Sequence, residues 1–264
     1  MCFDADALPP HIPQDVLPQL LADTGVASTE VLTLTSADGT QFAAYRAHPT
    51  TPSGAGIVIL PDVRGLFRFY EELAERFASA GIDAIAFDYF GRTAGVAERG
   101  ADFEYMPHVM QTKPEQVAAD VSAAVAQLRT AGNIRGVFTV GFCFGGANSL
   151  LQAANHHGLS GVIGFYGPPT AARLGGTPPI ERINEFECPV LGLYGGADQG
   201  IPVTEVEKFD QALGAAGVDH EIVVYPGAPH SFFDRTAETY VEESADSWRR
   251  ILGFITGHTP TAMV

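Results

Sequence analysis

The sequence predicts an α/β domain: a doubly wound, mostly parallel, eight-stranded sheet with helices on both faces. Three observations carry that expectation. Eight short strand-like runs recur along the chain. Helix-periodic segments lie between them, and such alternation implies right-handed crossovers. The later runs are apolar throughout rather than alternating, the pattern of parallel strands covered on both sides.

The runs are Glu30–Thr35, Gln41–His48, Gly56–Leu60, Ile82–Phe87, Gly136–Val140, Gly161–Tyr166, Val190–Tyr194 and Glu221–Tyr225. Only Ser36 to Thr40, with Asp38-Gly39 inside, separates the first two, which predicts an antiparallel pair. Helix is expected over Tyr70–Ala80, whose Leu73, Ala74, Phe77 and Ala78 form one face and which stops at Gly81. Pro114–Ala131 opens with proline and Glu115 and ends before Gly132. Phe144–His156, Val203–Ala215 and Thr236–His258 are also expected to be helical.

Residues 1–28 are proline-rich and aperiodic, an irregular arm before a single domain over 29–258 and a tail over 259–264. Two stretches interrupt the rhythm. Gly91–Lys113 holds Phe103, Tyr105, Met106, His108 and Met110, and Gly167–Pro179 is rich in proline and glycine. Both follow carboxyl ends of strands, where α/β sheets form their ligand crevice.

The chain has 264 residues, 46% hydrophobic and 17% charged, which excludes disorder. A formal charge of -16 repels phosphate backbones and anionic lipid, so neither nucleic acid nor a membrane surface is an expected partner. Three cysteines, Cys2, Cys143 and Cys188, are too few for a disulfide framework and fit a reducing compartment. The first twenty residues lack the basic and apolar regions of a signal peptide, and no apolar run is long enough to span a bilayer. A cytoplasmic location and a monomer or homodimer are expected.

The chemistry is expected at Gly141-Phe142-Cys143-Phe144-Gly145-Gly146, between a strand and a helix. This is a nucleophile elbow with cysteine at the usual serine position. A tight turn forces the nucleophile into a strained backbone, and small neighbours make room for it. The side chain then stands beside a helix N-terminus, which favours an anionic sulfur and offers amides to an oxyanion. A dinucleotide-binding turn would require glycine at 143 and an acid about twenty residues on. Instead no Asp or Glu lies between Asp120 and Glu181. Cys2 and Cys188 are read as ordinary core thiols.

A thiol nucleophile requires a base, and the base an orienting acid. Downstream, Tyr194-Gly195-Gly196-Ala197-Asp198 places an acid after a strand, and Tyr225 to His230 places a histidine after the next. The order nucleophile, acid, histidine is the one expected of an α/β-hydrolase elbow. Asp88 and Asp234 are weaker alternatives for the acid. No metal or cofactor is expected: there is no H-E-x-x-H, and the adjacent His156 and His157 would not share a helix face.

From about Glu30 to Gly257 the sequence resembles the dienelactone hydrolases of the α/β-hydrolase superfamily. The resemblance rests on Pro61 to Gly65, Gly141 to Gly146 with its cysteine, Tyr194 to Asp198, and His230 to Asp234. It implies the α/β-hydrolase fold and a hydrolase of small-molecule esters or lactones. Cys143 would be the nucleophile, His230 the base and Asp198 its orienter. The amides of Phe144 and Val63 would form the oxyanion hole. Asp62 stands where the family has a glutamate that contacts the cysteine. Arg92 matches the first of two arginines that bind the substrate carboxylate. At the second position stands Asp234, so Arg235 or Arg64 is left to supply that charge. Tyr105 and Tyr166 complete the expected substrate contacts. Two other readings stay open: an esterase or thioesterase for neutral acyl groups, which the aromatic stretch Phe103–Met110 would suit, and a non-catalytic redox-sensing or scaffold protein.

Overall fold

A computed structural model describes residues 7–16, 25–171 and 176–261. The reading of Cys2 and part of the expected arm lie outside the described residues. Eight strands form one sheet: β1 (Val26–Thr35), β2 (Gln41–Pro49), β3 (Ala55–Leu60), β4 (Asp83–Phe87), β5 (Gly136–Phe142), β6 (Gly161–Phe165), β7 (Val190–Gly195) and β8 (His220–Tyr225). Their spatial order is β1-β2-β4-β3-β5-β6-β7-β8. The β1–β2 and β2–β4 pairs are antiparallel; the others are parallel.

The helices are α1 (Arg68–Ser79), α2 (Gly91–Ala94), α3 (Met106–Val109), α4 (Pro114–Arg129), α5 (Phe144–Leu151), α6 (Val203–Ala215) and α7 (Val241–His258). Each apolar strand serves two cores. Ile57 and Ile59 of β3 pack with Leu73, Phe77, Trp248 and Ile251 of α1 and α7, while Val58 and Leu60 pack with Val121 and Val125 of α4. Leu150, Phe209 and Leu213 of α5 and α6 cover β6 and β7. Burial on both faces removes any need for alternation along these strands.

Several boundaries differ from expectation for local reasons. β1 begins at Val26, inside the segment read as an arm, because Thr50 donates to the Gly25 carbonyl and extends the hairpin. The described part of the arm is docked: Ile12 is buried and the Trp248 indole donates to the Pro10 carbonyl at 3.1 Å. α7 starts at Val241 rather than Thr236, since the Thr236 amide turns back to the Ser231 carbonyl. α5 ends at Leu151 and tightens into a 3-10 turn, so His156 and His157 lie beyond it. The stretch 91–113 contains α2 and α3 rather than loop alone.

Candidate active site

β5 ends at Phe142 and α5 begins at Phe144, so Cys143 alone makes the turn, at φ 55° and ψ −111°. That conformation is costly for a residue with a side chain and persists only where its surroundings dictate it. Here they do. A Cβ on Gly141 would overlap the Gly145 carbonyl, one on Gly145 the carbonyls of Leu60 and Pro61, and one on Gly146 the Phe165 carbonyl. The start of α5 is therefore wedged between the ends of β3 and β6. The Cys143 amide donates to the Phe165 carbonyl at 3.0 Å. This packing sets the first turn of α5, whose leading amides have no intrahelical acceptor, beside Leu60 and Pro61 at the end of β3.

The acid and the imidazole come from neighbouring strand ends. A Cβ on Gly195 would overlap the carbonyls of Ala228 and Pro229, so the two loops touch only because that residue is glycine. Asp198 Oδ2 lies 2.6 Å from His230 Nδ1. Its Oδ1 accepts the Gly200 and Ile201 amides at 2.8 and 3.2 Å. Burial pushes this carboxyl upward, but the imidazole and the two amides outweigh burial and leave its pKa below the ordinary value. An ionised Asp198 on Nδ1 selects the tautomer in which Nε2 is the basic nitrogen.

Cys143, Asp198 and His230 line one cavity of about 550 Å³. Its wall is mainly apolar, including Val117, Ala147, Leu151, Pro168, Pro178 and Pro179. Lys113 and Arg235 are the cations among its described lining residues. Lys113 was not singled out in the sequence, where it reads only as the residue before a helix. Among the described residues no group of His, Cys, Asp and Glu could hold a metal ion, and no helix is long and apolar enough to cross a membrane.

Other expected site residues are elsewhere. Arg92 does not reach the cavity. Its guanidinium grips Asp120 of α4 at 2.7 and 2.9 Å, Asp38 at 2.8 Å and Ser36 at 3.1 Å. These three partners hold the guanidinium that the family resemblance assigns to a substrate carboxylate. Arg64 lies over the Phe67 ring, 4.4 Å from its centroid, and Tyr105 packs into the core beside α4; neither lines the cavity. Tyr166 sits behind His230 rather than in the cavity, with ring centroids 4.8 Å apart.

Asp62 is fully buried, its Oδ1 accepting the Arg64 amide at 2.9 Å, and it closes the turn after β3. Burial pushes the ionisation of the Tyr89 hydroxyl well above the ordinary value, and the charges of Asp62 and Asp88 add to the rise. Asp88, a rival for the acid, is occupied by Arg99 at 2.9 Å and by the Leu66 and Phe90 amides. Cys188 is buried, and burial raises its thiol to about 12.

Residues 42–259 match the family model described as "Dienelactone hydrolase family". A carboxymethylenebutenolidase of Rhodococcus opacus is 32% identical over 213 residues, covering 79% of this chain and 83% of that one. A Yersinia pestis protein, provisionally named a carboxymethylenebutenolidase, is 31% identical over 85% of this chain and 87% of its own. The crystal structure of a provisionally named dienelactone hydrolase from Klebsiella pneumoniae superposes with a TM-score of 0.74 at 29% identity, covering 87% of this chain and 99% of that one.

Proposed function

Because the chain belongs to the dienelactone hydrolase family, we propose that it is a cysteine hydrolase of carboxylic esters or lactones. One observation carries this reading: a strained thiol at a helix N-terminus and an imidazole held by a buried carboxylate line the same cavity. In the proposed reaction Cys143 Sγ attacks the acyl carbon and its proton passes to His230 Nε2. The oxyanion is held by the Phe144 and Val63 amides, each contributing roughly 3–4 kcal/mol. Collapse expels the alkoxide or enolate, which takes the proton from His230. Water then attacks the thioester with His230 as base, releasing the acid and the thiol. Asp198 keeps Nε2 as the basic nitrogen throughout.

The apolar wall supports a second reading of the substrate as an ester with a neutral acyl group. With Arg92 committed to Asp120, a substrate carboxylate would be left to Lys113 and Arg235. A carboxylate-bearing lactone and its methyl ester separate the two: the methyl ester should show the higher kcat/KM if the apolar wall decides.

Cys143→Ala tests the mechanism on p-nitrophenyl acetate and a simple lactone. Turnover is expected to fall by a factor of about 10³ or more, as for loss of a nucleophile in a coupled set. Unchanged turnover of both substrates overturns it.

A further inference from the structure

The mechanism leaves one group beside His230 unused. Asp234 is 3% exposed, four residues beyond the imidazole. Its Oδ2 accepts the Tyr166 hydroxyl at 2.6 Å, and its Oδ1 accepts the Arg235 amide. Tyr166 is itself fully buried, and its ring packs on the His230 ring. A carboxyl, a phenol and the imidazole thus form a continuous chain of which only the imidazole lines the cavity.

The backbone is strained on both sides of the contact between Tyr166 and His230. Tyr166 has φ 36° and Ser231 φ 63°, both left-handed without being glycine. The Tyr166 amide donates to the Leu193 carbonyl at 2.8 Å, tying its turn to β7. Strain that the fold maintains on both sides of one contact gathers at functional sites more than at scaffolding.

We propose that Asp234 is a positioning residue for His230: through Tyr166 it fixes the ring on which the imidazole rests, and when ionised it adds a second negative charge that favours the imidazolium. This rests on the reading of His230 as the general base. The charged and titratable groups facing Asp234 are Tyr166, Asp62 and His230, besides the Arg235 amide. Burial raises its carboxyl to about 7 and the charge of Asp62 adds to the rise, while the Tyr166 and Arg235 hydrogen bonds and the imidazolium oppose it. Its charge therefore changes within the working range of the imidazole. Asp198, ionised across that range, supplies constant support, whereas Asp234 supplies support that grows as pH rises.

The experiment follows the His230 imidazole by NMR titration in the whole protein, which requires no turnover, alongside the pH profile of kcat/KM. In Asp234→Asn, which keeps the shape and an acceptor for Tyr166, the imidazole midpoint should move down by about half a unit or more. The acid limb of kcat/KM should move with it. Tyr166→Phe keeps the ring but removes a bond that favours the carboxylate, so the Asp234 inflection should move to higher pH; this variant serves if the first does not fold. Titration curves that superimpose on the parent, with only thermal stability lowered, overturn the proposal. Failure of the hydrolase reading would show separately, as turnover that survives Cys143→Ala.

Discussion

Asp198 and Asp234 are the same residue type with opposite behaviour, and their partners decide the difference. Asp198 faces an imidazole and two amides, so its ionised form is preferred. Asp198→Asn retains the shape but favours the wrong imidazole tautomer. We expect kcat/KM to fall by about 10⁴-fold, the scale known for a serine-protease aspartate of this role, with the circular dichroism spectrum unchanged. Asp234 is raised to about 7 in the folded protein, above its ordinary 3.8. The native state therefore binds a proton more tightly than the unfolded chain does. Its cost is absent below the unfolded pKa, grows between the two values and is complete above the folded one. Denaturant melts of Asp234→Asn should accordingly show the variant gaining stability relative to the parent as pH rises from 5 to 8. A constant difference across that range would mean that Asp234 is already ionised in the folded protein throughout.

Arg92 shows how neighbouring elements can hold a side chain that a family resemblance assigns to a pocket. It follows β4 at the position expected of a substrate arginine, yet it joins the β1–β2 turn to α4 through Asp38, Ser36 and Asp120. Asp120 is 1% exposed, and burial already pushes its carboxyl upward against the pull of Arg92. Arg92→Ala would leave that acid buried without its cation, a loss of about 3–5 kcal/mol. The same variant should leave unchanged the ratio of kcat/KM for a carboxylate-bearing ester to that for its neutral counterpart. Selective damage to the anionic ester would return Arg92 to the site. The sheet was legible because strands such as β3 are buried along their whole length and so apolar along their whole length. α6 is found over the expected Val203–Ala215, bounded by Pro202 and a turn at Gly217. Cys143, Asp198 and His230 could be read because each follows a strand and a glycine. The Tyr166–Asp234 link could not, since it joins residues 68 apart through space and neither lies in a motif that implies the other. The pairing of Arg92 with Asp120 could not be read either, because a motif after one strand says nothing of an acceptor on a helix packed beside it.

At the scale of the whole molecule, charge and site pull in opposite directions. The chain carries -16, while Lys113 and Arg235 at the cavity are the local cations among the described lining residues. The Debye length falls from about 30 Å at 0.01 M to about 8 Å at 0.15 M ionic strength. Added salt therefore removes the distant repulsion while leaving much of the attraction from a cation within a few ångströms of the bound ester. For an anionic ester we expect kcat/KM to rise with salt over that interval, and for its neutral methyl ester to stay flat. The comparison separates steering from chemistry, since the two esters share the thiol, the imidazole and the oxyanion amides. Lys113→Ala and Arg235→Ala should each lower kcat/KM for the anionic ester at the higher salt. A fall with salt in the parent would instead mean that these two cations dominate the approach at long range, and that the net charge lies on faces the substrate never meets.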